Sequence, residues 1–141
     1  MQLPDVNVLL GAFRDDLPHH GVCREWLRRA AVGGGPFGVA GVVLSGVVRI
    51  STNPRVFAVP TPIDEALAFA ESVRRHPNCA LLAPGPRHWE IFANLCRAAR
   101  CRGNLVADAY LAALAIETGS EWITLDRDFA RFPGLRWREP A

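Results

Sequence analysis

Four aspartates stand where chemistry is most easily built: Asp5, Asp108, Asp126 and Asp128. Asp5 follows the short apolar start Met1–Pro4. Asp126 and Asp128 follow the apolar, partly β-branched run Glu121 to Leu125. Asp108 lies one turn into a stretch with helical periodicity. Each has an ordinary explanation alone, Asp5 as a helix cap and Asp108 as an acid tolerated near a positive helix end. All of them at one sheet edge is a different matter. Carboxylates gathered closely repel, and each raises the pKa of the next. A bound divalent cation reverses that penalty. Hard oxygen ligands favour Mg²⁺ or Mn²⁺. Such an ion activates water and neutralises a phosphate under in-line attack, so the chemistry implied is metal-assisted phosphodiester hydrolysis.

The elements that must position these acids are read in chain order. Met1 to Pro4 reads as the first strand, with a helix beginning at Val8. His19 to Ala30 reads as an amphipathic helix with Val22, Trp26, Leu27 and Ala30 inward. His19 and His20 fit an exposed helix start better than a metal site. Phe37 to Ala40 is a second strand, and Gly41 to Ser51 a buried helix whose glycines and valines leave it ambiguous with strand. Thr61-Pro62-Ile63-Asp64 starts a helix, with Thr61 as cap, running to about Arg75 with Ile63, Ala66, Leu67, Ala70 and Val73 inward. Cys79 to Ala83 is a third strand. Arg87 to Arg100 is a helix with Trp89, Phe92, Ala93 and Cys96 inward, and His88 and Glu90 at its surface. Asn104 caps a helix from Leu105 to Thr118, which Gly119 ends; Leu105, Ala109, Ala112, Ala113 and Ile116 form its apolar stripe. After Asp128, the stretch ending at Trp137 offers an edge strand. Alternating strands and helices argue a parallel α/β sheet covered on both faces, and ligands of such sheets lie outside the carboxyl ends of the strands.

Composition narrows the alternatives. The 141 residues fit one domain, residues 1–141, and half are hydrophobic. Net charge is only +2, far from a strongly basic nucleic-acid footprint. All 16 basic residues are Arg. The absence of Lys excludes receiver-type phosphoacceptors and aspartate-nucleophile phosphatases, both of which rely on one. Arg suits phosphate through its bidentate fork, and Arg49 and Arg87 are the candidates for substrate phosphate. The four cysteines show no metal-ligand spacing. No run reaches transmembrane length, and Met1–Leu10 lacks a basic signal-peptide start. A cytoplasmic protein with reduced thiols is expected, without membrane contact.

The segments Asp5–Leu10 (DVNVLL), Arg49–Phe57 (RISTNPRVF), Gly103–Glu117 (GNLVADAYLAALAIE) and Thr124–Trp137 (TLDRDFARFPGLRW) together resemble PIN-domain ribonucleases, and more narrowly the VapC toxins of type II toxin–antitoxin systems. The resemblance spans the whole chain. It implies a PIN-like three-layer α/β/α fold with a parallel sheet of about five strands. It also implies a Mg²⁺-dependent endoribonuclease in which Mn²⁺ can substitute, acting on tRNA or rRNA. A cognate VapB-type antitoxin blocks the site in this family, and homodimers are common. By this resemblance Asp5, Asp108 and Asp126 match the metal-binding, catalytic acids, with Asp128 as a weaker neighbour. Asn7 and Thr124 match polar positions that support the site. One departure stands out: where the family carries a Glu in the helix after strand two, this chain has Gly46, and no acid occurs between Glu25 and Asp64. Either the aspartates suffice, or the domain is catalytically degenerate and retains only RNA or antitoxin binding. A DNA-directed nuclease is a further possibility, since nothing in the residues reads a 2′-hydroxyl.

Overall fold

A computed structural model describes residues 1–141. Five strands form one all-parallel sheet: β1 (Gln2–Pro4), β2 (Phe37–Ala40), β3 (Cys79–Leu82), β4 (Glu121–Ile123) and β5 (Trp137–Arg138). Their spatial order is β3-β2-β1-β4-β5. Six helices connect them: α1 (Val6–Phe13), α2 (His20–Val32), α3 (Gly41–Ser51), α4 (Ile63–Arg74), α5 (His88–Ala98) and α6 (Asn104–Glu117). This is the three-layer α/β/α architecture expected. β2 is buried along its whole length, as a strand covered on both faces must be.

The topology brings the first and last parts of the chain together. β1 is central and pairs with β4 in the register Gln2↔Glu121, Leu3↔Trp122, Pro4↔Ile123. The Asp5 amide continues the ladder onto the Ile123 carbonyl at 2.8 Å. The residues just past these strand ends, Asp5 and Thr124, are therefore neighbours. α6 packs through Ala109, Ala112, Ala113 and Ala115, all fully buried. Four small side chains let its backbone approach the core closely, which brings Asp108 toward the same edge. The main core joins both sheet faces to this helix through Leu3, Val39, Val47, Leu114, Trp122 and Phe129.

Several local expectations need correction. Asn104 is the first residue of α6 and makes no side-chain cap; Gly103, at φ 62°, holds the cap position. Gly119 ends the helix region with φ 64° as expected. Thr61 does not cap α4, because Pro62 stands there and the Thr61 hydroxyl accepts a hydrogen bond from Arg14 instead. Ile63 and Leu67 are about half exposed, so only Ala66, Ala70 and Val73 carry the inward face of α4. In α5, Trp89 is 70% exposed whereas His88 is 2% exposed, the reverse of the periodicity reading. The α5 start turns so that the imidazole packs inward: its Nε2 lies 2.9 Å from the Tyr110 carbonyl. β4 ends at Ile123, two residues earlier than the apolar run. Cys23, unremarked in the sequence, is fully buried beside Trp26.

Candidate active site: an acidic cleft at the sheet edge

Asp5 is both the α1 cap and a site residue. Its Oδ1 accepts the Val6 amide at 2.6 Å. Its Oδ2 accepts the Thr124 hydroxyl at 2.7 Å and Asn7 Nδ2 at 3.3 Å. Thr124 Oγ1 in turn accepts the Asp126 amide at 3.0 Å and Asn7 Nδ2 at 3.3 Å. The hydroxyl thus uses its one donor and both acceptor sites. Asn7 Oδ1 accepts the Leu125 amide at 3.1 Å, which fixes the amide's orientation. This network ties the β1 and β4 ends together and holds the Asp5 carboxylate still. Asp126 caps the 3₁₀ turn Arg127–Arg131 by accepting the Asp128 amide at 2.9 Å.

Asp5, Asp108 and Asp126 line one cleft of about 970 Å³, together with Asn7, Gly46 and Arg49. The rest of its lining is mostly apolar and includes Ile50, Leu82, Phe92 and Tyr110. No Arg or His forms an ion pair with any of these three acids, although the chain has eight ion pairs elsewhere. The electrostatic consequence is plain. Burial lifts the Asp5 carboxyl from 3.8 to about 6, against the hydrogen bonds from Thr124 and Val6; the charges of Asp108 and Asp126 push the same way as burial. Asp108 also rises to about 6, first through burial and then through Asp126 and Asp128. Raised acids gathered in a concave site are the arrangement that functional clusters use.

These donors suit a hard divalent cation: carboxylate oxygens, mutually repelling, with no protein cation to neutralise them. No three of the chain's Asp, Glu, His or Cys side chains close into a ligand cage. Mg²⁺ needs no such cage, because it keeps several waters and takes one or two carboxylates.

The remaining sequence candidates divide. Asn7 and Thr124 meet in the network above. Arg49 reaches the cleft wall. Asp128 does not line the cleft; it lies 3.9 Å from Arg131, near enough to act on Asp108 through its charge. Arg87 does not line the cleft; it precedes α5, where its amide donates to Glu117 at 2.9 Å. Gly46 is buried, and a Cβ placed there would meet Val6 Cγ2 at 2.9 Å. The space an acid would need is taken by Val6. Phe92 and Tyr110 are the cleft residues that sequence reasoning missed.

The fold and site define a parallel α/β protein with an acidic cleft at the carboxyl edge of its sheet. The chain belongs to the PIN domain family, whose profile matches residues 3–135. It is 42% identical to ribonuclease VapC25 of Mycobacterium tuberculosis over 140 residues, 99% of each chain. It is 43% identical to ribonuclease VapC43 of the same species over 136 residues, 96% of this chain and 92% of the other. Among solved structures, VapBC2 from Rickettsia felis, bound to a promoter DNA fragment, superposes with a TM-score of 0.73 at 14% identity, covering 98% of this chain and 97% of that one. VapC20 of M. tuberculosis, a Sarcin-Ricin loop cleaving toxin, gives 0.68 at 17% identity, covering 96% and 99%. The structural likenesses bear on the fold.

Proposed function

We propose that this chain is the endoribonuclease toxin of a VapBC-type pair, hydrolysing RNA phosphodiester bonds at the acidic cleft. The observation that carries the reading is the group Asp5, Asp108 and Asp126, uncompensated by any protein cation, in a chain 42% identical to a named ribonuclease. Asp5 and Asp108 would hold Mg²⁺, or Mn²⁺ in its place, and Asp126 would act through water or a weaker second ion, with Asp128 behind it. When bound, such an ion supplies a Lewis acid that neutralises phosphate charge and makes water more acidic. The protein's own part is positional. Thr124 and Asn7 fix the Asp5 carboxylate. Asp126, its amide held by Thr124, presents a carboxylate that can orient a water. Arg49 on the wall can take a phosphate oxygen.

Partners follow the same reading. A VapB-type antitoxin would be the partner, as the VapBC names of the structural neighbours suggest, and it would silence the toxin by covering the cleft. The half-exposed Ile63, Leu67 and Leu81, which line one groove, give a homodimer an apolar face to bury. No helix is long and apolar enough to cross a membrane, which agrees with a cytoplasmic toxin. tRNA and rRNA are the substrates to try first.

The test is cleavage of total tRNA and rRNA by antitoxin-free protein with Mg²⁺, Mn²⁺ or EDTA, beside Asp108→Asn. Metal-dependent cutting that the variant loses supports the reading. A folded, metal-supplied wild type that leaves both RNAs intact favours the second reading, a degenerate PIN domain that binds RNA or antitoxin, for which Gly46 speaks.

A further inference from the structure

The turn between α5 and α6 is built on a specific helix stop. The Cys101 amide donates to the Cys96 carbonyl at 2.9 Å, and the Arg100 amide to the Arg97 carbonyl at 3.2 Å. Arg100 has φ 50°, the one residue other than glycine in the left-handed region. Two such bonds around a left-handed residue make the Schellman motif, which folds the following residue back over the last turn of the helix. An apolar pair usually fills the contact this creates. Here the two positions that meet are Cys96 and Cys101. Both are half-buried and pack against the main core. Their nearness registers on the Cys101 thiol, pushed above its ordinary value first by burial and then by the Cys96 sulfur beside it. The hydrogen bond between the two backbones also limits their Cα separation to about 6.8 Å, inside the span a disulfide bridges.

We propose that Cys96 and Cys101 close a reversible disulfide, by exchange with an anionic small-molecule disulfide, and that the bond latches the end of α5 to the approach to α6. The inference goes beyond the ribonuclease reading and does not depend on it. The Cys101 thiol is held protonated and attacks slowly, so the first step falls to Cys96. Its thiolate displaces one half of the small disulfide, which leaves as a thiolate and takes up the proton that Cys96 released. Cys101 then gives up its proton, attacks the Cys96 sulfur of the mixed disulfide and expels the second half. Two electrons pass from the protein thiols to the small disulfide, which departs as two thiols. Arg97, Arg100 and Arg102 adjoin the pair in the chain; all three are exposed and none enters an ion pair. They favour negative charge on the incoming disulfide. In reducing surroundings the pair rests as thiols, and the bond is a response to oxidation. The latch closes beside Gly103, which lines the cleft, and α6 begins at Asn104, one turn before Asp108. Oxidation therefore stiffens the segment that leads into the acidic site.

The experiment incubates the folded, full-length protein with glutathione disulfide and then blocks free thiols with iodoacetamide. Trypsin cuts after Arg97 and Arg100, between the two cysteines. The bond should therefore join the peptides His88–Arg97 and Cys101–Arg102 in one mass peak that dithiothreitol abolishes, while a non-reducing gel shows a single chain. The oxidised protein should melt about 5 °C above the reduced one. Cys101→Ser, treated alike, should show neither the joined peptides nor the shift; Cys96→Ser serves if that variant does not fold. Bonding to Cys23 or Cys79, a cross-link between chains, a mixed disulfide that never closes, or no oxidation at all overturns the proposal. So does an oxidised protein that melts no higher than the reduced one, since the bond then strains the turn instead of latching it. None of these results depends on whether RNA is cut, so the ribonuclease reading stands or falls apart from them.

Discussion

Helix α1 carries charge at both ends, and the two ends are built on opposite principles. At its C-terminal end, Arg14 is saturated. Nε and Nη2 donate to the two Asp16 carboxylate oxygens at 2.9 and 2.6 Å. Nη1 donates to Thr61 Oγ1 at 3.0 Å, and Nη2 also to the Val59 carbonyl at 3.0 Å. The guanidinium lies 3.6 Å from the Phe57 ring centroid. At the N-terminal end, Asp5 sits among other acids with hydrogen bonds but no cation. The same ion-pairing chemistry was available to both. One end uses it to fasten the long α3–α4 connection; the other withholds it, leaving charge for something outside the chain to neutralise. Evolution tolerates such unpaired charge where binding or catalysis needs it.

The comparison breaks first on activity. Asp108→Asn or Asp5→Asn should cut metal-dependent RNA cleavage by about 10²–10³-fold, equivalent to ~3–4 kcal/mol of lost transition-state stabilisation. Arg14→Ala should leave cleavage by the folded fraction near wild type while lowering stability by about 2–3 kcal/mol, through the lost fork, ring contact and Thr61 partner. Urea denaturation of both proteins, read beside an RNA-cleavage assay, separates the two ends. If Arg14→Ala were the inactive variant and the folded Asp variants still cut, the division of labour would be reversed.

Acidity sharpens the contrast. Asp5 and Asp108 have folded-state pKa values above their unfolded ones. Between about 3.8 and about 6 the folded protein therefore binds more protons than the unfolded chain, and metal-free stability falls as pH rises through that window. Above about 6 the penalty is fully present, on the order of 2–3 kcal/mol for Asp5. The Arg14 end has the opposite sign: its hydrogen bonds hold Asp16 below the ordinary carboxylate value, so its contribution is lost only as pH drops below about 4. Thermal unfolding without metal should show the difference between Asp5→Asn and wild type moving in the variant's favour from pH 5 to pH 7.5, on top of a pH-independent loss of one acceptor used by Thr124 and Asn7. Saturating Mg²⁺ should move it back toward wild type at pH 7.5, because the ion stabilises only the chain that binds it. A gap that ignores both pH and metal would mean the Asp5 charge is not the cause. Asp108→Asn should behave alike on a smaller scale. Half of that carboxylate faces water, and screening leaves about 1 kcal/mol.

How much of this was legible before the structure depends on the kind of signal. Strand order could not be read, yet the acids could be placed, because a parallel sheet sends every strand end to one edge: Asp5 directly follows β1, and Asp126 and Asp128 lie in the turn just beyond β4. α6 was legible from its alanines. α5 was misread for a physical reason: periodicity assigns a face by hydropathy, and His88 is buried by a hydrogen bond and ring packing while Trp89 is left out. Thr61 was misread because a hydroxyl suited to capping was claimed by Arg14 from a distant part of the chain. Long-range polar partners leave no trace in local patterns. The aromatic lining was illegible for the same reason, since Phe92 and Tyr110 meet only when α5 packs on α6.

Gly46 is the point where sequence and structure must be read together, and the smallest effect turns on it. The missing acid looked like a simple loss. In the structure Gly46 is buried in the cleft lining, and Val6 fills the space a side chain would enter, at 2.9 Å from a built Cβ. Gly46→Glu alone should therefore be destabilised, by about 1–2 kcal/mol, since β-branched Val6 in the first turn of α1 has little rotamer freedom with which to yield. A favourable Gly-to-non-Gly helix propensity offsets part of that cost. Val6→Ala/Gly46→Glu removes the clash and returns a carboxylate to the cleft wall. Calorimetric titration with Mn²⁺ should then show tighter binding than Val6→Ala alone, by about threefold to tenfold for one added charge in a partly solvated site. Tighter binding with faster cleavage would mean that this branch works with a weakened metal site. Tighter binding with unchanged cleavage would mean that the aspartates already suffice. Unchanged affinity in the double variant would show that position 46 borders the cleft without facing its acids, and the charge deficit at the N-terminal end of α1 would then owe nothing to the glycine.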